Sequence, residues 1–230
     1  DSATELVLVG PEQEMRRLMG SGERGAVSYL DCQKCIPMDC KLSIGLFKQK
    51  DTTIHEVLRL VKGGKADVAY SAGNTAIFVS LAVGGLGMIP GIERPSICVR
   101  LPNLRGGTTL FLDVGANVSP KVNQLVQSAL MGDLYAREIV GIREPKIGLL
   151  NIGEEEMKGD DLRQKTYRLL ASEKRIRFAG NVEGHEMFAG KTDVLVTDGF
   201  NGNMILKVSE GMLKSFKTML LRGMSESLSG

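Results

Sequence analysis

Short β-rich apolar runs alternate along this chain with segments whose apolar positions recur every three to four residues. That alternation predicts βα repeats built on a mostly parallel sheet. The runs place strands at Glu5–Val9, Ala26–Leu30, Ala66–Tyr70, Ser96–Arg100, Thr109–Val114, Lys146–Asn151, Arg175–Phe178 and Val194–Thr197. Leu149-Leu150 and Leu195-Val196 lie in near-continuous apolar stretches, as expected for strands covered on both faces. Helix starts are also legible. Thr53-Ile54-His55-Glu56 has capping-box spacing, and Ser119-Pro120 sets an N-cap before a proline at the first helical position. Val122, Leu125, Val126, Ala129 and Leu130 then share one stripe. Asp160 or Asp161 is placed to cap a helix running to about Ser172. The last long helix is expected from near Gly202, burying Ile205, Val208, Met212, Leu213, Phe216 and Leu220, with the tail Ser225–Gly230 fraying.

Several strands run into turns rich in glycine, asparagine, serine and aspartate: Ser71-Ala72-Gly73-Asn74-Thr75, Asp113-Val114-Gly115-Ala116-Asn117, Asn151-Ile152-Gly153, Gly180-Asn181-Val182-Glu183 and Asp198-Gly199-Phe200-Asn201-Gly202-Asn203. In an open parallel sheet, ligands bind outside the carboxyl ends of the strands. Small polar residues there present backbone N–H groups and amides to a shared cleft. Candidate contacts are Ser71, Gly73, Asn74, Thr75, Asp113, Asn117, Asn181, Glu183, Asp198, Gly199, Gly202 and Asn203. Lys158, just before a helix start, can neutralise a phosphate or polarise a carbonyl. Glu154-Glu155-Glu156 is a solvated face or a partner for Lys158, since consecutive glutamates do not converge on one ion. His185 is a candidate base or orienting group, while His55 reads as structural.

Bulk properties narrow the classes. A chain of 230 residues, 43% hydrophobic and 24% charged, is ordinary for one soluble α/β domain spanning 1–230. A net charge of +2, without a basic arm or aromatic-basic stripe, argues against a nucleic-acid partner. No apolar run approaches the roughly 18–20 residues that span a bilayer. The chain starts at Asp1 without methionine, as a fragment would. Cys32, Cys35 and Cys40 would need a fourth ligand to hold zinc, and reduced cytosolic thiols are the expectation. The G-x-x-x-x-G-K-[ST] and G-x-S-x-G patterns are missing and no convincing G-x-G-x-x-G follows a strand, which argues against nucleotide hydrolysis, serine hydrolysis and dinucleotide binding.

Several strings, taken together and in order, carry a specific resemblance. They are Lys65-Ala66-Asp67 through Thr75, Gly91-Ile92-Glu93-Arg94-Pro95, Leu112 through Val118, Met131-Gly132, Gly148 through Gly153, Gly180 through Glu183, and Val196 through Asn203. From about Glu5 to Phe216 the chain resembles the phosphate acyltransferases of bacterial phospholipid synthesis (the PlsX family, acyl-carrier-protein:phosphate acyltransferases). The resemblance implies a three-layer αβα sandwich like that of isocitrate dehydrogenases and phosphotransacetylases. It implies transfer of a long-chain acyl group from acyl-carrier protein to inorganic phosphate, giving acyl phosphate for phosphatidic acid synthesis, with no cofactor. It also implies a cytoplasmic homodimer associated peripherally with the membrane.

Lys158 and Asn203 fall on the family's catalytic positions, with the other candidates shaping the pocket around them. Relative to the family, the chain lacks an N-terminal strand with a Gly-Gly-Asp-His motif and a C-terminal portion. Ser119 replaces a common aspartate and His185 a common arginine. Three rival readings stay open: a phosphate acetyl- or butyryltransferase using acyl-coenzyme A, a non-catalytic carrier-protein-binding remnant and, third, a dehydrogenase with the related sandwich fold.

Overall fold

Side-chain alternation along the strands decides what each layer of this protein packs against. The computed structural model describes residues 4–20 and 26–227. It divides into two compact units, Asp1–Ile89 and Pro90–Gly230. Of the tail Ser225–Gly230 expected to fray, residues 225–227 are helical and 228–230 lie outside the described residues.

In the first unit, β1 (Leu6–Gly10) leads through α1 (Glu12–Met19) to β2 (Val27–Asp31), and the two strands pair in parallel from Leu6↔Val27 to Gly10↔Asp31. Asp31 at the end of β2 accepts from the Glu12 backbone N–H at 2.9 Å, satisfying one of the free donors at the start of α1. Helices α2 (Ile44–Lys48), α3 (Thr53–Lys62) and α4 (Thr75–Leu86) follow, and Leu46, Ile54, Leu58, Ile77 and Leu81 form their common core. The expected capping box at Thr53 is not made. Thr52 is the N-cap, its hydroxyl bonds His55 Nδ1 at 2.8 Å, and Glu56 pairs with Arg59. The predicted strand Ala66–Tyr70 is also absent. It has no hydrogen-bonded neighbour among the described residues, and Val68 and Tyr70 stay exposed, so alternation alone could not make it a strand.

The second unit holds β3 (Cys98–Pro102), β4 (Thr108–Leu112), α5 (Val122–Tyr135), β5 (Lys146–Asn151), α6 (Asp161–Ser172), β6 (Arg177–Glu183), β7 (Val194–Val196) and α7 (Gly199–Ser227). The sheet order is β3-β4-β7-β5-β6, with only β3 antiparallel to its neighbour. Leu110, Leu112, Ile147, Leu149, Val194 and Val196 face α5 and α6 through Leu125, Ala129 and Leu170. Phe111, Leu195 and Val182 point to the opposite face, where Ile205 and Leu206 of α7 cover them. Helices therefore lie on both faces of a mostly parallel sheet, as expected. Asp160 caps α6, accepting from Arg163 N at 2.9 Å, also as expected. By contrast, α5 begins after Lys121 rather than at Ser119-Pro120, with the Gln124 side chain accepting from Lys121 N at 2.9 Å.

Helix α7 departs most from expectation. It starts at Gly199 and docks by its first turns, whereas Val208, Met212, Leu213, Phe216 and Leu220 are 52–71% exposed rather than buried. Apolar spacing identifies a helix face but not whether anything covers it. The four cysteines are free, and burial pushes the Cys98 thiol up to about 11.

Phe111 is fully buried beneath α7. Phe111→Ala should lower the unfolding free energy in urea by about 3–5 kcal/mol. A loss below about 1 kcal/mol would show that this layer is not close-packed.

Candidate functional site

Strand β7 runs parallel to both neighbours, and Leu112, Val196 and Leu149 stand in register. The segments that follow β4, β5 and β7 therefore leave the sheet at one edge, the carboxyl edge where such folds bind ligands. Glu183 closes β6 opposite Asn151 at the same edge.

After β4, the buried Asp113 organises its own turn. Its Oδ1 accepts from Ile97 N, Gly115 N and Ala116 N at 2.9–3.1 Å, and its Oδ2 from the Asn117 backbone and side chain at 2.7–2.8 Å. Asn117 also donates to the Pro95 carbonyl at 2.7 Å. These two candidates are thus committed to shaping backbone.

The segment after β7 packs onto that turn. Gly199 N donates to Asn117 O at 2.8 Å, and a Cβ at Gly199 would lie 2.8 Å from that same oxygen. A Cβ at Gly202 would lie 1.9 Å from the Asp113 carbonyl oxygen, so only glycine fits. The tight backbone approach read from these glycines is real, but its partner is the protein's own main chain. One residue on, Asn203 lies against Gly115, with its side-chain amide exposed and without a hydrogen-bond partner among the described residues.

The loop after β5 is held by two asparagines. Asn151 Nδ2 donates to Lys158 O at 3.0 Å, and Asn181 Nδ2 donates to Glu155 O at 2.8 Å, leaving the buried Asn181 Oδ1 without a described partner. Lys158 is exposed, and no ion pair to it is formed among the described residues. The acidic run does not partner it; Glu156 pairs instead with Arg168 at 3.4 Å.

A cavity of about 640 Å³ opens beside these segments, lined among others by Asn151, Arg163, Glu183, His185, Asn201 and Ile205. His185 Nδ1 lies 3.3 Å from Glu183 Oε2. Lys158 and Asn203 stand outside its wall. Ser71, Gly73, Asn74 and Thr75 belong to the first unit. There the Ser71 hydroxyl accepts from Gly73 N at 3.1 Å, and Asn74 caps α4 through Ile77 N at 3.2 Å while donating to Met38 O at 2.8 Å. Thr75 is the first residue of α4.

Sequence reading missed Arg163. Its side chain is only 13% exposed and pairs with both Asp160 and Asp198. Asp198 is buried, and burial works to raise its pKa. Hydrogen bonds from the Asn201 side chain and backbone, together with the Arg163 guanidinium, outweigh that and hold it below the usual carboxylate range.

The chain can be set beside known proteins. A family model described as fatty acid synthesis protein matches residues 1–230. A phosphate acyltransferase of Heliobacterium modesticaldum is 44% identical over 219 residues, covering 94% of this chain and 65% of the relative. One from Thermodesulfovibrio yellowstonii is 39% identical over 232 residues, covering 100% and 66%. The chain thus spans just under two thirds of the length of these curated relatives. Among solved structures, a phosphotransacetylase from Streptococcus pyogenes aligns with TM-score 0.63 at 17% identity, covering 91% of this chain and 82% of that one. A branched-chain phosphotransacylase from Enterococcus faecalis aligns with TM-score 0.59 at 15% identity, covering 91% and 84%. At such identities the likeness is one of fold.

Two predictions follow from the packing around Asp113 and Asp198. Gly202→Ala should destabilise the second unit by about 1–3 kcal/mol or more, read as a lower urea midpoint, because the methyl must displace backbone. An unchanged midpoint would mean that the turn yields freely. With its native pKa depressed, Asp198 contributes stability that is present above the unfolded value of about 3.9 and lost as pH falls through the native one. Unfolding free energy should drop on acidification below about pH 4, and Asp198→Asn should flatten part of that drop. Identical slopes would exclude Asp198 as an acid-sensitive anchor.

Proposed function

The chain belongs to the fatty acid synthesis protein family, and from that premise we propose that it transfers a fatty acyl group from a thioester to inorganic phosphate. In this reading the donor is a long-chain acyl group on acyl-carrier protein, and the acyl phosphate formed serves phosphatidic acid synthesis. The observation that carries the reading is the pairing of β5 with β7, which brings two uncommitted polar groups to one sheet edge: the Lys158 ammonium and the Asn203 amide.

Acyl transfer to phosphate requires no covalent nucleophile on the protein. A phosphate oxygen attacks the thioester carbonyl carbon, and the carbonyl π electrons move to its oxygen. Collapse of that tetrahedral intermediate breaks the C–S bond, and the departing thiolate takes up a proton. Two demands fall on the protein: a cation to hold the phosphate, and donors aimed at the developing oxyanion. Lys158 is assigned the first and Asn203 the second. The turn bearing Asp113, Asn117, Gly199 and Gly202 fixes the backbone that carries Asn203.

The proposal includes a cytoplasmic homodimer touching the membrane face peripherally. No described helix is long and apolar enough to cross a membrane. The exposed apolar residues of α7 lie among Lys214 and Lys217, a composition suited to an anionic surface.

The test uses the full-length protein with palmitoyl-carrier protein and phosphate. Phosphate-dependent loss of thioester with appearance of acyl phosphate is the expected result. Preference for acyl-coenzyme A would favour the acetyl- or butyryltransferase reading, and carrier-protein binding without turnover would favour the non-catalytic one. Lys158→Ala and Asn203→Ala should each lower turnover about 10²-fold or more with the fold intact. Turnover near that of the unmodified protein would remove that residue from the mechanism.

A further inference from the structure

We propose that Arg163 is a positioning residue that sets the placement of Lys158 relative to Asn203, an inference that rests on the acyl-transfer reading above. The two groups sit on separate segments, one after β5 and one at the start of α7, and neither segment alone determines the gap between them.

Arg163 joins the segments directly. Its Nη1 donates to Asp160 Oδ2 at 2.7 Å, and its Nη2 donates to Asp198 Oδ2. Asp160 lies two residues beyond Lys158. The stretch between is pinned by Asn151 on the Lys158 carbonyl and by Gln164 Nε2 on the Met157 and Gly159 carbonyls, at 2.8 and 3.1 Å. Gln164 N also donates to the Asp160 carbonyl at 3.0 Å, so Asp160 and Lys158 belong to one short segment held on the start of α6.

At the other end, Asp198 Oδ1 accepts from Asn201 N at 2.9 Å, its Oδ2 from Asn201 Nδ2 at 2.7 Å, and its carbonyl from Gly202 N at 2.9 Å. Asn203 is the next residue, and the contact of Gly202 with Asp113 leaves the turn no slack. Among the described residues, no other hydrogen bond or ion pair ties 157–160 to 198–203.

The chemistry suits arginine. A planar guanidinium presents donors along two edges at fixed angles, so one side chain can hold two carboxylates at a set separation. A lysine keeps the charge but not the fork. A buried ion pair is by itself weak evidence of a stabilising role. The wall position of Arg163 in the cavity beside His185 and Asn201 adds that the bridge is at the functional edge, not in the core.

The experiment measures kcat, KM for phosphate and Tm in the full-length enzyme for Arg163→Lys and Arg163→Gln, each alone and combined with Lys158→Ala or Asn203→Ala. The expected result for Arg163→Lys is a folded enzyme whose kcat falls about 10- to 100-fold, the scale on which small misplacements of reacting groups act. In either alanine background the further loss should shrink to about twofold or less, because little positioned catalysis remains to be lost.

A purely structural role predicts lowered Tm with unchanged kcat per folded molecule, and losses that multiply undiminished in the double variants; that result overturns the proposal. If Lys158→Ala and Asn203→Ala are inactive while both Arg163 variants turn over normally, the positioning role alone fails. If the two alanine variants are themselves fully active, the catalytic assignments fail and the positioning role falls with them.

Discussion

The sheet of the second unit is joined through three residues. Val194–Val196 is wholly buried and hydrogen-bonds to Leu110–Leu112 on one side and to Ile147–Leu149 on the other, and β4 and β5 do not pair directly. Its alternation also ties the layers: Val194 and Val196 enter the core beneath α5 and α6, and Leu195 the core beneath α7. Burying one such side chain is worth about 1.5–3 kcal/mol, so the strand has influence beyond its length. The hydrogen bond from the Thr109 hydroxyl to Thr192 O spans 83 residues, which places the closure of this sheet among slow, non-local folding steps. The carboxyl edge is a candidate site only because this strand aligns the ends of its neighbours.

At that edge two buried carboxylates are accommodated differently. Asp113 is surrounded by neutral N–H donors, mostly from its own turn, and becomes part of the local backbone scaffold. Asp198 is met by a guanidinium from a helix distant in sequence as well as by its own cap. An unpaired buried charge is expensive, so each arrangement dictates local geometry. One fixes a turn, and the other fixes a relation between elements.

Much of this was legible in the chain, for identifiable reasons. The apolar run at Val194–Thr197 could belong only to a covered segment, and Asp160 had the residue type and offset of a cap that the structure makes. The run Ala66–Tyr70 looked equally strand-like, but a strand requires a neighbour, and pattern carries no information about partners. The same gap explains α7, whose spacing marks an apolar face without saying what meets it. Arg163 was invisible for a related reason: at three residues past Asp160 it reads as an ordinary surface pair, and nothing local announces Asp198. The glycines at 199 and 202 were recognised as places of close approach, while what they approach depended on the path of β4.

The contact at Gly202 bears on how this site can vary. Any missense change in a glycine codon adds at least a β-carbon, and here that carbon would fall 1.9 Å from a carbonyl oxygen. The first turn of α7, which carries Asn201 and Asn203, therefore keeps a main-chain path that mutation at Gly202 has no gradual way to alter.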